Sequence, residues 1–495
     1  MKKVLRIFSA IMVVVVVLTT FTSCATSLGQ VQPATAAIDD KNVLKLPVCN
    51  TDSLNPYEAT TEYNLALSTL LFEGLVKISE DFQAVNVLAK SVTVKDKTVT
   101  VEVNTACTFS DASYVTVADV EYSYNLAKSS ANFKKQLENF KEISVSGNSI
   151  TFTLKNNDKF AALCLDFPII KKQADDYEGF LIGSGKYKME NNQTLVMNER
   201  WNNASLPRVK RIRLVNMLDT VSGPESVETG NISCYFQDMG NGNYIRKNVK
   251  THETLMTNIV FLGMNSQNEH LAKNEVRQAI SLLIPRETIA EKSYLGYAKV
   301  ATTPFIPTWH ELTKIKTDIS SESLNEAKEL LASAGYSKGD DPLASVMRLR
   351  LLVNADNPFK VSAAENIASA LGSMGITVVV EKVSFEYLMQ RLERGEYELY
   401  IGETKLSKNM NLSPFFSSQG GASYGIDTNS KIVSTYEDFL GGKISTQRFV
   451  DYFNVAVPFA PICFRCGIEM YTNELYVTGY GTPTDRFENI YSWYY

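Results

Sequence analysis

The chain has 495 residues, 44% of them hydrophobic and 21% charged, with 49 basic against 54 acidic side chains and a formal net charge of −5. A nucleic-acid binder would need a basic face to neutralise phosphates, so this balance argues against one. The contents of glycine (26), proline (15) and cysteine (7) exclude collagen-like, low-complexity and disulfide-scaffold proteins. The length is several times that of a common domain of ~100–150 residues, which indicates a globular protein with several lobes.

The first 23 residues have the pattern of a bacterial export signal. Three basic residues, Lys2, Lys3 and Arg6, precede an apolar run with five consecutive valines, and small residues follow that run. The run is far shorter than the ~20 residues that a stable membrane-spanning helix needs. We therefore expect residues 1–23 to be a lipoprotein signal peptide.

Cys24 is the expected site of lipid attachment. It resembles the acylated cysteine of bacterial lipoprotein signals, although Phe21 stands where that motif usually has leucine. An ordinary cleaved signal with an incidental cysteine is the alternative. Residues 24–42 carry no periodic apolar pattern, so we predict a flexible tether that holds a domain clear of the lipid surface.

The remaining six cysteines are predicted to be structural. Four are scattered singly through apolar segments, as buried small hydrophobic residues often are; they are Cys49, Cys107, Cys164 and Cys234. Cys463 and Cys466 have CxxC spacing, but the surrounding run 462–471 reads as a strand. Residues three apart in a strand point to opposite faces, which disfavours redox or metal use of this pair.

Two segments of the first half predict β-hairpins. The strand-like runs Val92–Val103 and Ile143–Leu154 each carry a turn signal in their interior. Two hairpins of this kind indicate a small separate subdomain. Further strand-like runs at Lys210–Val215 and Ile259–Met264, separated by turns and helices, show that this half mixes the two element types.

The second half has a regular β-α-β-α-β order. Predicted strands at Met347–Val353, Ile376–Val383 and Tyr397–Gly402 alternate with helices that begin after Asn357 and Ser384. The short loops between these elements predict a parallel sheet covered by helices, which places the chain in the α/β class.

A ligand crevice is predicted at one edge of this sheet. Sheets of parallel strands bind ligands beyond the carboxyl ends of those strands. In this chain the ends are expected near Asn354, Ser384 and residues 402–404.

Motifs for catalysis or cofactor binding are missing from the sequence. HExxH, GxSxG and EF-hand patterns do not occur, and the three histidines have no partner at metal-ligand spacing. The segment 183–187 resembles a phosphate loop, but Phe180 and Tyr187 stand where that loop needs glycine and serine or threonine. We predict no enzyme, cofactor or metal site, although the two carboxylates of a glycosidase would not be visible in sequence.

Six blocks of sequence form a recognisable series: 54–57 (LNPY), 70–76 (LLFEGLV), 109–124 (FSDASYVTVADVEYSY), 183–187 (GSGKY), 261–280 (opening FLGMN and ending VRQAI) and 326–336 (EAKELLASAGY). In this order they resemble the peptide/nickel-type extracytoplasmic solute-binding proteins of ABC transporters, the oligopeptide- and dipeptide-binding family 5. The third block is the most specific match. Within it, Thr116 is expected to cap a helix whose third residue, Asp119, suits a helix N-terminus through its charge.

The resemblance implies a two-lobed, periplasmic-binding-protein-like α/β fold. Lobe one would combine residues 43–67, 179–265 and 470–495, an α+β subdomain would be inserted at 68–178, and lobe two would be 266–469. The family captures small solutes between closing lobes and delivers them to an ABC permease in the membrane. A monomer tethered by its lipid, with no nucleic-acid partner, is the expected form.

Two departures from the family pattern bear on the turn chemistry and on the cargo. The family usually has glycine after the aspartate of the third block, where this chain has Ala112, which should only alter a turn. Peptide binders have an aspartate for the peptide α-ammonium where this chain has Leu406, so that anchor is missing. A peptide is still the expected cargo, and a nickel chelate, an oligosaccharide or an opine are the alternative cargoes. The alternative role is that of a ligand-sensing receptor on the same fold.

The candidate ligand-binding residues follow from the crevice and from the resemblance. Glu403 is the carboxylate closest in sequence to the missing aspartate, and its charge-assisted bond to a ligand cation would be worth about 1.5–3 kcal/mol. Thr404 beside it, Tyr424 in a glycine-rich loop, Asn265 at the expected chain crossing and Tyr57 in the first block complete the set. The alternative is that Glu403 is a solvated charge at a strand end and Tyr424 a surface loop residue.

Overall fold

The structure, a computed structural model, describes residues 43–172, 179–202, 205–217, 219, 221–241, 247–315, 324–336 and 347–495. The predicted leader, Cys24 and the tether lie outside the described residues. Residues Leu44–Tyr495 form one compact unit. Within the described ranges, no helix combines the length and the apolar character that a bilayer crossing requires.

The helices and strands are as follows in chain order. The strands are β1 (Leu44–Val48), β2 (Val76–Ile78), β3 (Ala84–Asn86), β4 (Ala89–Lys95), β5 (Thr98–Val103), β6 (Phe140–Ser146), β7 (Ser149–Leu154), β8 (Tyr187–Asn191), β9 (Thr194–Met197), β10 (Arg211–Asn216), β11 (Cys234–Asp238), β12 (Lys250–Met264), β13 (Ala298–Val300), β14 (Arg348–Asn354), β15 (Thr377–Val383), β16 (Leu399–Lys405) and β17 (Phe459–Tyr471). The α-helices are α1 (Glu62–Leu71), α2 (Val117–Ser129), α3 (Gly223–Glu228), α4 (Asn274–Leu283), α5 (Arg286–Thr288), α6 (Leu324–Ser333), α7 (Pro358–Ser373), α8 (Phe385–Glu393), α9 (Ser413–Phe416), α10 (Lys431–Leu440) and α11 (Thr446–Ala456). Short 3₁₀ turns lie at Ala161–Cys164, Met239–Asn241, Leu312–Lys314 and Ile490–Ser492, and a π turn at Ile289–Ser293.

The two predicted hairpins are confirmed. β4 pairs with β5 and β6 with β7, and the four strands form one sheet in the order β4-β5-β7-β6. Asp96 and Gly147 adopt left-handed backbone conformations at the two turns, with φ of 50° and 57°. Aspartate and glycine tolerate such conformations better than other residues, so local turn chemistry sets both registers.

Helix α2 begins as predicted. The Thr116 hydroxyl accepts a hydrogen bond from the backbone N–H of Asp119, and the Asp119 carboxylate accepts one from the backbone N–H of Thr116. This reciprocal pair is a capping box, and it places a negative charge where the helix dipole favours it. Val120 and Tyr124 of the helix are buried.

A seven-stranded sheet dominates the second half. Its strands lie in the order β11-β17-β12-β16-β14-β15, and β13 pairs with β17. β14 is parallel to both β15 and β16, which confirms the predicted β-α-β-α-β order. The other strands pair antiparallel, so the sheet is mixed and the expectation of a parallel sheet holds for these three strands alone. A separate four-stranded sheet has the order β1-β10-β9-β8.

β12 and β17 are long strands at the middle of the large sheet. They have 15 and 13 residues, and they pair with each other along most of that length. The predicted strand Ile259–Met264 is therefore only the second part of β12. The pairing is irregular between Leu255 and Ile259, where the register shifts.

The predicted end of β16 at Gly402 was wrong. The strand runs Leu399–Lys405, so Glu403 and Thr404 lie inside it instead of after it. Gly402 lies opposite Phe261 of β12, and a β-carbon there would lie 2.3 Å from the Phe261 ring. The glycine makes room for an aromatic ring of the neighbouring strand and does not end its own.

Apolar side chains cover both faces of the large sheet. In β12, Ile259 and Phe261 pack into one core while Val260 and Leu262 pack into a second one, as strand alternation requires. Residues of α10 and α11 belong to the first core, and residues of α4 and α7 to the second. Side chains at the ends of these strands are consequently held by a framework packed from both sides.

Candidate functional site

The candidate site lies at the carboxyl ends of the parallel strands. Asn354 ends β14, and the turn after it carries Asn357. The Asn357 side chain caps α7 by accepting a hydrogen bond from the backbone N–H of Lys360 at 3.0 Å, and it donates one to the carbonyl of Gly240 at 2.7 Å. The start of α7 is thereby held against the segment that follows β11.

Glu403 lies at this site and is engaged by three donors. Its Oε1 accepts hydrogen bonds from Nδ2 of Asn258 at 2.9 Å and from Nε of Arg465 at 2.7 Å. Its Oε2 lies 2.8 Å from Nζ of Lys360, and the side chain is only 14% exposed. Glu403 is thus neither a solvated strand-end charge nor an unengaged carboxylate.

Arg465 links Glu403 to β11. Its Nη1 and Nη2 donate to the carboxylate of Asp238, the last residue of β11, and only 5% of the Arg465 side chain is exposed. Gly240 leaves room for the guanidinium, since a β-carbon there would lie 2.8 Å from Nη1. Asp238, Arg465 and Glu403 therefore form a continuous chain of ion pairs that joins β11, β17 and β16.

The four charges of this cluster, Asp238, Glu403, Arg465 and Lys360, stabilise one another in their ionised forms. Burial alone would raise the pKa of Glu403, but Lys360 and Arg465 together with hydrogen bonds lower it below its usual value. Burial also disfavours the charge of Arg465, yet its contacts with Asp238 and Glu403 raise its pKa. At neutral pH the cluster holds two negative and two positive charges, which cancel.

The other predicted residues of the large sheet divide between the two ends of β16. Thr404 lies beside Glu403 and is half-buried. Asn265 follows β12 at the opposite end, where its side chain donates to the carbonyl of Tyr397 at 3.1 Å. The ring of Tyr424 also lies towards that end, with its centroid 6.4 Å from that of Tyr400. The binding roles of these three residues stay predictions.

Tyr57 is packed in a core. It is 6% exposed, its hydroxyl donates to the carbonyl of Pro168, and its ring meets Phe133 edge-on with 5.6 Å between centroids. Burial raises the pKa of its phenol well above the usual value. Both partners belong to the segment predicted as the inserted subdomain, so Tyr57 helps to attach that segment, and a ligand contact by Tyr57 remains a prediction.

Lys360, Arg465 and Asp238 were not among the residues predicted from the sequence. Arg465 carried a usable signal, because it stands in the apolar run of β17, where a charged side chain needs a carboxylate partner. The identity of that partner was not available, since Asp238 and Arg465 are 227 residues apart. No local pattern reports such a pair.

The six cysteines that the structure describes are free and buried, as expected for structural cysteines. Burial raises the pKa of the Cys107 and Cys466 thiols to about 11, so their thiolates are scarce at neutral pH. Among the described residues, no group of three or more His, Cys, Asp or Glu side chains is arranged to hold a metal ion.

Comparison with known proteins gives one family match and distant relatives. The model of the bacterial extracellular solute-binding proteins, family 5 Middle, matches residues 83–424. The glutathione-binding protein GsiB of Escherichia coli (strain K12) is 24% identical over 329 residues, which are 62% of this chain and 64% of that protein. The similarity therefore spans just under two thirds of the length of this relative.

Solved structures at low identity share the fold. The murein tripeptide-binding protein MppA, in its unliganded open form, matches with a TM-score of 0.73 at 18% identity, covering 92% of this chain and 98% of that one. A nickel ABC transporter structure from Bacillus halodurans also has a TM-score of 0.73, at 17% identity, and covers 92% and 99%. These matches confirm the predicted two-lobed α/β fold. The family model matches more than half of the residues of this chain, and the chain therefore belongs to the bacterial extracellular solute-binding proteins of family 5.

Proposed function

We propose that this chain is the extracytoplasmic solute-binding component of an ABC importer, which captures a small solute between two closing lobes and delivers it to a membrane permease. The family match over residues 83–424 carries this proposal. The charged cluster at the carboxyl ends of the parallel strands supports it, because open α/β sheets bind their ligands there. A binding protein needs fixed polar groups, and the cluster around Glu403 supplies ionised side chains whose charges are mutually stabilised. We therefore assign binding and no catalysis.

The lobe map inferred from the sequence gives this cluster a mechanical role. With lobe one at 43–67, 179–265 and 470–495, the inserted subdomain at 68–178 and lobe two at 266–469, Asp238 lies in lobe one and Glu403 in lobe two. Arg465 joins the two carboxylates. β12 and β17 would carry the crossings between lobes and act as the hinge, and the ion pairs would hold the lobes together when closed.

A peptide is the proposed cargo. Among similar proteins, GsiB is a glutathione-binding protein and MppA a murein tripeptide-binding protein, while the Bacillus halodurans structure is of a nickel transporter. Leu406, at the position of the missing ammonium anchor, is 2% exposed. A peptide would therefore be held by its backbone and its other charged groups. Nickel chelates, oligosaccharides and opines are the competing cargoes.

Export and lipid anchoring at Cys24 complete the proposal. The leader pattern supports a signal peptide of 23 residues, and residues 24–42 would tether the folded part to the outer face of the cytoplasmic membrane. There the chain would act as a monomer that docks on the permease subunits. Sensing through a different membrane partner is the competing role.

Native mass spectrometry of the protein purified from its host tests this function directly. We expect a fraction of the molecules to carry an added mass of peptide size that is lost on denaturation, and calorimetry with the identified compound should then give a saturable heat. A sugar or a metal chelate in its place would change the cargo but keep the function. Protein that carries nothing and binds no peptide, sugar or chelate would contradict the function itself.

A further inference from the structure

Lys405 lies beside the charged cluster and has no ion-pair partner among the residues that the structure describes. It is the last residue of β16, lies opposite Asn258 of β12 and is exposed. Strand alternation places its side chain on the same face as that of Glu403. In the part of the chain that the structure describes, no carboxylate forms an ion pair with its ammonium, whereas Glu403 has Lys360 and Arg465.

The charges that surround Lys405 cancel without it. Four charged residues act electrostatically on its ammonium, namely Glu62, Lys408, Arg486 and Asp238. Each already has a partner of opposite sign: Glu62 pairs with Arg486 at 3.2 Å, Asp238 with Arg465, and Lys408 with Asp166. The cluster around Glu403 is neutral as well. Within the described ranges, Lys405 therefore contributes one uncompensated positive charge at the carboxyl end of β16.

An anion bound near Lys405 would stabilise the charged form of its ammonium. Partial loss of hydration at its ammonium, together with repulsion from Lys408 and Arg486, lowers the pKa of Lys405, and the attraction of Glu62 and Asp238 does not offset this effect. A ligand that presents a negative oxygen to Lys405 would supply the counter-charge that its ammonium lacks among the described residues.

We propose that Lys405 binds a carboxylate of the captured solute, so that the cargo of this protein carries at least one free carboxylate, as a peptide with an unblocked C-terminus does. This inference rests on the proposed function. The ligand group proposed here is an anion, whereas the sequence predicted a ligand cation bound by Glu403. A ligand ammonium at Glu403 would have to displace Lys360 or Arg465, whereas a carboxylate at Lys405 would break no ion pair between described residues.

The test uses matched peptide mixtures and charge variants of the exported chain without its leader and tether. A mixture of tripeptides with free C-terminal carboxylates and the same mixture as C-terminal amides are compared by native mass spectrometry, and the best-bound pair is then titrated by calorimetry. The wild type should bind the acid about tenfold to a hundredfold more tightly than the amide. Lys405→Met should lose this preference, and Lys405→Arg should keep it because it retains the charge.

Lys90→Met is the matched control, since Lys90 is an exposed strand lysine of β4 that pairs with Glu102. It should keep the wild-type preference, and all variants should keep their melting temperature within a degree or so of each other, which excludes misfolding as the cause. Equal binding of acid and amide by the wild type, or an unchanged preference in Lys405→Met, would overturn the role of Lys405 and leave the proposed function intact. Failure of the wild type to bind either mixture would overturn the peptide-binding function and this inference with it.

Discussion

Arg465 and Glu403 are joined by a hydrogen bond of 2.7 Å from Nε to Oε1, and both side chains are shielded from solvent. The guanidinium of Arg465 also holds Asp238 on the other side. A carboxylate in this position is part of the framework, because its removal leaves two cations, Arg465 and Lys360, with Asp238 as their remaining acid in the cluster. The contribution of Glu403 to the stability of the fold can therefore be measured without any ligand.

Glu403→Gln should destabilise the folded protein by about 1–3 kcal/mol, since it leaves buried cations short of a counter-charge while keeping the shape of the side chain. This expectation differs from that for a free strand-end carboxylate, whose loss would leave the melting temperature unchanged. Urea unfolding at pH 7 measures the difference. Glu121→Gln, an exposed position on α2, is the control and should have no effect. Equal stability of the two variants would show that the ion pairs contribute nothing net.

Asp158 should make the stability depend on pH. Its side chain is buried at 2% exposure and accepts hydrogen bonds from the backbone N–H of Phe160 and from Asn409. Burial raises its pKa from 3.8 to about 6, against the opposing effect of these hydrogen bonds. Because the folded-state pKa is the higher one, the stabilising contribution is complete below about pH 4 and is lost as the pH rises through about 6.

Asp158→Asn removes this ionisation and keeps an acceptor for Phe160. The variant should exceed the wild type in free energy of unfolding by about 1–3 kcal/mol at pH 8, and the difference should vanish near pH 4. Urea denaturation at several pH values gives both numbers. Asp356→Asn, at an exposed position, should follow the wild type at every pH. A difference between Asp158→Asn and wild type that does not change with pH would show that burial does not raise the pKa of Asp158 in the folded protein.

Local features of the fold were predictable from the sequence. The hairpin turns at Asp96 and Gly147, the caps at Thr116, Asn357 and Ser384, and the strands between them all depend on residues close in sequence. The pairing of β12 with β17 was not, because the partners are about 200 residues apart and their register depends on which side chains the two cores bury. The end of β16 was wrongly predicted at Gly402 for a related reason, because the need for glycine there comes from the ring of Phe261 on another strand.

The sequence led to the charged cluster around Glu403 but not to the composition of that cluster. The rule that ligands lie beyond the carboxyl ends of parallel strands led to Glu403 and its neighbours. The sequence could not tell whether that carboxylate was free, since its partners Lys360 and Arg465 come from α7 and β17. Electrostatic balance is a property of the assembled cluster, and Lys405 stands out only after the other charges have been paired.

Ala112→Gly should stabilise the protein by about 0.5–1 kcal/mol. Ala112 has a φ of 73° in the turn between Phe109 and Ser113, a left-handed conformation that costs an alanine roughly 1–2 kcal/mol. Glycine adopts it freely but loses more chain entropy on folding, which leaves a smaller net gain. Thermal unfolding measures the change, and Ala332→Gly on the exposed side of α6 should shift it the other way. A lower melting temperature for Ala112→Gly would show that the turn tolerates alanine without strain.

Cys24→Ser should release the protein from membranes if the leader directs lipid attachment. The expectation follows from the order of charged, apolar and small residues in positions 1–23. Fractionation of cells that express wild type and variant, followed by mass determination of the mature N-terminus, measures both retention and processing. Variant protein that stays with the membrane fraction after a salt wash would contradict the lipoprotein assignment.

Solute binding should make the molecule more compact. β12 and β17 are paired through most of their length, but the register shift between Leu255 and Ile259 interrupts the ladder next to the residues that hold Glu403 and Arg465. Such an irregularity bends a strand more easily than regular pairing does, so we expect the hinge there.

A solute that contacts both lobes stabilises the closed state by its differential affinity. Small-angle scattering with and without the compound found by native mass spectrometry should show a smaller radius of gyration in its presence. Asp238→Asn, which weakens the bridge to Arg465, should enlarge the radius of the empty protein while leaving the closed radius nearly unchanged. A radius that stays constant at saturating solute, in wild type and variant alike, would mean that the crevice is rigid and that the ion pairs serve stability alone.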